Sequence, residues 1–226
     1  MQIDIQMGPG SSAAKVSLEP GEILTAEGGA MIAMSGDMSM TTTTHKKKSG
    51  GIMKALKRVI SGESFFMNHY EPGPNGGDVF LSTALPGDMK VMDLNGQGLI
   101  VQGGSYVASS HDINVDFSWQ GFKSAFSGEG LFWLNINGIG KVVVNSFGAI
   151  YPIEVNGEYI VDTGHIVAFD ETLNFKISKA GKSLVSSFLG GEGLVCKFNG
   201  KGTVWCQSHN DTSFGKTVGP KLKPRK

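Results

Sequence analysis

One segment occurs three times in this chain, and that recurrence restricts the available folds more than any other feature. Glu27-Gly28-Gly29-Ala30-Met31-Ile32-Ala33-Met34 returns as Gln102-Gly103-Gly104-Ser105-Tyr106-Val107-Ala108-Ser109, and again as Asp162-Thr163-Gly164-His165-Ile166-Val167-Ala168-Phe169. A turn and a strand precede each copy, at Pro20-Gly21-Glu22, Pro86-Gly87-Asp88 and Asn156-Gly157-Glu158. An acidic start and an alternating strand follow each, over Asp37–Met40, Asp112–Val115 and Glu171–Phe175. A second element also recurs. Gly128-Glu129-Gly130-Leu131 leads to Asn137-Gly138, and Gly191-Glu192-Gly193-Leu194 leads to Asn199-Gly200. A looser Gly62-Glu63-Ser64-Phe65 precedes Asn75-Gly76. An Asn-Gly pair between alternating apolar runs predicts a two-residue hairpin, so three hairpins are expected at one repeat position.

A period of roughly 65 residues with strand-like patterning predicts an all-β protein of three tandem units. One such unit has open strand edges and an apolar face, and must pack on its siblings. The expectation is a single domain over 1–212, with units at roughly 1–83, 84–148 and 149–212 and a basic, flexible tail over 213–226. The units are expected to be short β-helical coils about a pseudo-threefold axis that close on one another, with short helices in the connections. At 226 residues the chain is long enough to fold without a metal or disulfide.

The formal charge is zero, with 20 basic and 20 acidic residues, but it is unevenly placed. Lys46, Lys47, Lys48, Lys54, Lys57 and Arg58 form one acid-free cluster, and five more cations lie between Gly215 and Lys226. Nine bases then face 20 acids elsewhere, a net of −11. Ile52, Ala55, Leu56, Val59 and Ile60 follow helical spacing opposite Lys54, Lys57 and Arg58. A basic amphipathic segment of this kind can touch an anionic membrane surface, at up to ~1 kcal/mol per cation. Nucleic acid is disfavoured, because no aromatic side chain is interleaved for base stacking. No apolar run approaches the ~18 residues of a membrane-spanning helix, and Met1–Ile5 lacks the features of a secretion signal. The expected location is the cytoplasm, peripheral to a membrane if the basic segment engages one.

Catalytic constellations are missing from the sequence. The five histidines (His45, His69, His111, His165, His209) are too dispersed for the His-x-His pair of a cupin-type metal site, and His165 replaces Ala30 and Ser105 of the other copies. Gly181-Lys182-Ser183 and Gly215-Lys216-Thr217 match the end of a phosphate-binding loop, but Lys176 and Asn210 stand where its first glycine is required. No Gly-x-Ser-x-Gly elbow occurs. Glu63, Glu129 and Glu192 recur at one position, where a carboxylate opening a hairpin accepts backbone N–H groups. With a hairpin at Asn199-Gly200, Cys196 and Cys206 point to opposite faces, so no disulfide is expected. No catalytic residue, cofactor or metal is therefore assigned, and the chain is not expected to be an enzyme.

The Gly-Gly-x-x-x-Ala strand at Gly28–Ala33, the Gly-Glu-x-Leu/Phe segments and Leu85-Pro86-Gly87 resemble the family of Altered Inheritance of Mitochondria protein 24, over about Ile3 to His209. The resemblance implies three copies of the β unit of the tryptophan RNA-binding attenuation protein, a shortened double-stranded β-helix. Eukaryotic members are connected with organisation of the mitochondrial inner membrane; prokaryotic members resemble cytosolic proteins. The family supplies no catalytic residues, and the attenuation protein's tryptophan and RNA sites are not recognisable here. The expected function is that of a non-enzymatic scaffold that self-associates into a homo-oligomer. The alternatives are a peripheral membrane protein using 45–60, or a β ring binding a small ligand or RNA.

Overall fold

The computed structural model describes residues 1–44, 66–116, 132–179 and 194–223. The chain is nearly all β. The first stretch holds β1 (Gln2–Gln6), β2 (Ala13–Leu18), β3 (Leu24–Glu27), β4 (Met31–Met34) and β5 (Ser39–Thr44). After it come β6 (Phe66–Glu71), β7 (Gly77–Leu81), β8 (Met89–Asn95), β9 (Leu99–Gln102), β10 (Tyr106–Ser110) and β11 (Ile113–Asp116). The remainder holds β12 (Trp133–Asn145), β13 (Ile150–Asp162), β14 (Ile166–Asp170), β15 (Asn174–Lys179), β16 (Leu194–Gln207) and one helix, α1 (Asp211–Val218). The named strands pair antiparallel throughout. They form a four-stranded sheet, β1-β2-β7-β4, and a 12-stranded sheet along the path β13-β16-β14-β9-β12-β10-β3-β6-β5, with β8 and β11 also on β12 and β15 also on β16.

The residue patterns account for these placements. In β2, Ala14, Val16 and Leu18 are buried while Lys15 and Ser17 are half-exposed, the alternation of a strand with one covered face. Val142-Val143-Val144 of β12 are all fully buried between β8 and β10, so both faces are covered and the run is continuously apolar. Three core clusters result, and they cross the repeat boundaries. The first joins Leu24, Tyr70 and Val79 to Met89, Val107 and Val143; the second joins Leu99, Leu134 and Tyr106 to Met67, Val167 and Ala168. The third gathers Phe169, Phe198, Trp133 and both cysteines.

The three recurrent segments share one local pairing. Met31 and Ala33 of β4 face Leu81 and Phe80; Tyr106 and Ala108 of β10 face Val144 and Val143; Ile166 and Ala168 of β14 face Cys206 and Trp205. In each the register slips between the first residue and the alanine, so one β-bulge sits at the same place three times.

Two of the three expected hairpins are not hairpins. β12 runs through Asn137-Gly138 and β16 through Asn199-Gly200 without reversing, as β13 does through Asn156-Gly157. Gly138 and Gly200 have φ of 131° and 130°, and a Cβ at Gly138 would meet the Asp112 carbonyl oxygen. The glycine therefore kinks a continuing strand: the first half of β12 pairs with β9 and β11, the second with β8 and β10. Only Asn75-Gly76 makes a tight turn, with Gly76 N donating to the Gly73 oxygen at 3.1 Å. The cysteine geometry changes accordingly. Cys196 and Cys206 lie ten residues apart on one unbroken strand and share one core cluster, so their separation prevents a disulfide.

Among the described residues no strand pairing closes the three units on one another. β4 ends the four-stranded sheet and β13 ends the larger one, and the two do not pair. At the C-terminal side, the start of the expected tail is helical: Asn210 caps α1 by accepting from Ser213 N at 3.0 Å, and Phe214 packs edge-on against Phe147.

Candidate functional site

Three short turns join the inner strands to their bulged partners, and their glycines are set by close approach. Gly28 N donates to the Phe66 oxygen and Gly103 N to the Phe132 oxygen, each at 2.8 Å. A side chain at Gly103 would enter the Phe132 ring, and one at Gly28 would press on Phe66. In the third turn Thr163 occupies this position, its Oγ1 donating to the Leu194 oxygen at 3.0 Å, while the Asp162 carboxylate accepts from Gly164 N at 2.8 Å.

The turns border two adjoining clefts. One, of about 440 Å³, is lined by Glu27, Gly29, Ala30 and Ser82 of the first copy and by Gly104 and Asn145 of the second. The other, about 50 Å³, is lined by Gln102, Gly104, Ser105 and Asn145 of the second copy and by Gly164 and Gln207 of the third. These residues occupy matching repeat positions, so the clefts are two versions of one junction between successive copies. Asp211, at the start of α1, borders both. The second is tightly bonded: Gln207 accepts from Phe147 N at 2.8 Å and donates to the Gly164 oxygen at 3.0 Å, and Asn145, in its hydrogen-bonding orientation, donates to the Gly104 and Ser105 oxygens.

Glu27 is the distinctive group in the larger cleft. Burial without a hydrogen-bond or ion-pair partner among the described residues raises its carboxyl from 4.5 to about 7. A carboxyl of this kind can hold or release a proton near neutrality, and in its charged form can receive a cation.

The fold and this turn geometry frame the comparison with known proteins. A model of the family described as mitochondrial biogenesis AIM24 matches residues 4–209. The chain belongs to the AIM24 family. An uncharacterised protein of Streptococcus pyogenes serotype M6 is 27% identical over 210 residues, covering 90% of this chain and 84% of its own length. A second Streptococcus pyogenes protein, solved by X-ray crystallography, superposes with a TM-score of 0.80 at 26% identity, covering 98% of this chain and 99% of that one.

Within this AIM24 chain, the residues singled out by sequence are dispersed. Lys46, Lys47, Lys48, Lys54, Lys57 and Arg58 lie outside the described residues, as do His45, Glu63, Glu129 and Glu192. His69 is held between Thr25 at 2.9 Å and Thr43 at 2.8 Å, and His165 Nδ1 meets the Gln207 oxygen at 2.8 Å. Among the described residues no group of three His, Cys, Asp or Glu side chains gathers as a metal site, and no helix is long and apolar enough to cross a membrane. Burial pushes the thiols of Cys196 and Cys206 up to about 12, which makes them poor nucleophiles. The Glu27 cleft was missed by sequence reasoning. Its signal was present: Glu27, Gln102 and Asp162 put an acid or amide at the same place in all three copies.

Proposed function

We propose that this AIM24-family chain is a non-enzymatic scaffold that self-associates, its three β units acting as adjoining tiles of one continuing sheet. The observation that carries this reading is the way tile meets tile. β3 pairs with β10 and β9 pairs with β14 at matching positions, which leaves one further junction unfilled at each end of the series. Each unit reads as a shortened double-stranded β-helix. The pseudo-threefold relation expected of the units would, if it closed within one chain, lay β4 on β13; an open series leaves both edges to other molecules. Sedimentation velocity over a hundredfold concentration range tests the proposal. Concentration-dependent oligomers are expected, and a strict monomer throughout overturns self-association. Turnover of any small substrate that disappears in a Glu27→Gln variant would overturn the non-enzymatic part.

Peripheral membrane contact is the second reading, favoured by six cations and no acid over residues 45–58. Co-sedimentation with phosphatidylserine vesicles, lost on replacing Lys46, Lys47 and Lys48 by Glu, supports it; equal binding by both proteins removes it.

A further inference from the structure

The chain makes the same strand junction twice. Leu24, Thr25 and Ala26 lie opposite Ser110, Ser109 and Ala108; Leu99, Ile100 and Val101 lie opposite Asp170, Phe169 and Ala168. In repeat terms, an inner strand of one unit pairs with the bulged strand of the next. The third unit has the same inner strand, in the second half of β13 (Tyr159, Ile160, Val161), and the first unit has the same bulged strand, β4. Among the described residues neither has a partner on that edge.

Burial reports the consequence. Tyr106, Val107, Ala108 and Ser109 of β10 are fully covered, as are Val167, Ala168 and Phe169 of β14. Their counterparts in β4 are open: Met31 is 37% exposed, Ile32 56% and Met34 37%. Leu99 and Ile100 are buried, whereas Tyr159 and Ile160 are 45% and 50% exposed. The outer strand β5 has four consecutive threonines, Thr41–Thr44, and β1 alternates polar residues, Gln2, Asp4 and Gln6. Polar edges resist pairing and apolar ones invite it. The two inviting edges are the two halves of one junction.

We propose that β4 of one molecule pairs antiparallel with the second half of β13 of a second copy of this chain, placing Ala33 opposite Val161, Met34 opposite Ile160 and Ser35 opposite Tyr159. This deepens, and rests on, the self-association proposed above. A second copy fits better than a foreign strand because both halves are present on every molecule, in the register this chain already uses twice. The contact joins unlike surfaces, so it is head-to-tail. It closes into a ring of defined size where the rotation per copy divides a full turn.

Two experiments on the full chain test it. In the first, Ala33→Cys and Val161→Cys are combined and mildly oxidised; Cys196 and Cys206 are buried and do not compete. A reducible ladder of cross-linked multimers is expected, absent from either single variant. A cross-link confined within one chain, or none while the protein is oligomeric, overturns the junction. In the second, Met34→Lys and Ile160→Glu are made separately. Each alone should weaken association at least tenfold with an unchanged circular dichroism spectrum. Combining both substitutions in one chain should restore it, because every new Lys then faces a new Glu at each contact, whatever the number of copies. Oligomers indifferent to both substitutions, or a doubly substituted protein that stays dissociated, overturn the junction and leave self-association standing. A wild-type protein that is monomeric at every concentration removes both.

Discussion

Gly138 shows how a single residue decides between two topologies. Its φ of 131° and its approach to the Asp112 backbone leave no room for a Cβ, whereas Gly157, at φ 105°, has open space around it. Gly138→Ala should therefore cost strain plus a backbone clash, about 3 kcal/mol or more, and Gly157→Ala only the strain of about 1–2 kcal/mol. Urea unfolding of the two variants checks the order; equal losses would remove the close-approach argument. The same residues explain why the hairpin expectation failed. An Asn-Gly pair records a positive φ, and both a reversal and a kink in a continuing strand satisfy it. What separates them at Asn137-Gly138 is that β8, β9, β10 and β11 are all present to pair with the two halves of a continuing β12, and those strands are remote in sequence. Glu27 gives a second residue-scale prediction. Its folded-state carboxyl lies near 7 against an ordinary 4.5, so its contribution to stability is complete below about 4.5 and is lost as the pH rises through 7. Glu27→Gln should flatten the fall in melting temperature between pH 5 and 7.5, with an upper bound of about 3 kcal/mol on the difference. A variant that keeps the wild-type pH dependence would remove Glu27 as its source.

Among the elements, the bulged strands carry an experiment that the repeat itself supplies. Ala108 is pinned between Val143 and Ala26, and Ala168 between Trp205 and Val101, while Ala33, among the described residues, has a strand on one side only. Ala108→Leu and Ala168→Leu should each destabilise by about 1–3 kcal/mol through overpacking. Ala33→Leu should be close to neutral for the folding of the isolated chain. Thermal or urea unfolding at low protein concentration distinguishes them, and three equal costs would contradict the open edge of β4. These strands were legible in the sequence because Gly-x-x-x-Ala recurs with its flanks, as Gly29–Ala33, Gly104–Ala108 and Gly164–Ala168. The difference in their surroundings was not, because it depends on which unit stands beside each. The helix at Asp211–Val218 was also hidden, since Gly215, Lys216 and the lysines that follow read as a tail; the Asn210 cap and the Phe214–Phe147 contact are what define it.

For the whole molecule, the decisive fact is that neither sheets nor cores respect the repeat boundaries. Main-chain ladders cross from β3 to β10 and from β9 to β14, and Met67 packs in the core of the second unit. Three independent beads would melt in steps, as loosely coupled repeats do. These units should instead unfold in one calorimetric transition whose van't Hoff and calorimetric enthalpies agree. Two or more resolved transitions would show that the boundaries are real seams. All-β character and a repeated unit were accessible from composition and pattern, and membership of the AIM24 family followed. The route by which the units join was not, because strand partnership between distant segments leaves no local mark.

The position of β16 has a consequence for biosynthesis. β13, β14 and β15 all precede it and all three bond to it, so none has its main partner until residues 194–207 have left the ribosome. The first two units can assemble while translation continues. The last waits, with Val161, Phe169 and Phe175 not yet met by β16, for a single late strand to thread between those already made. Slow codons or a chaperone acting at that stage would therefore bear on the yield of folded protein.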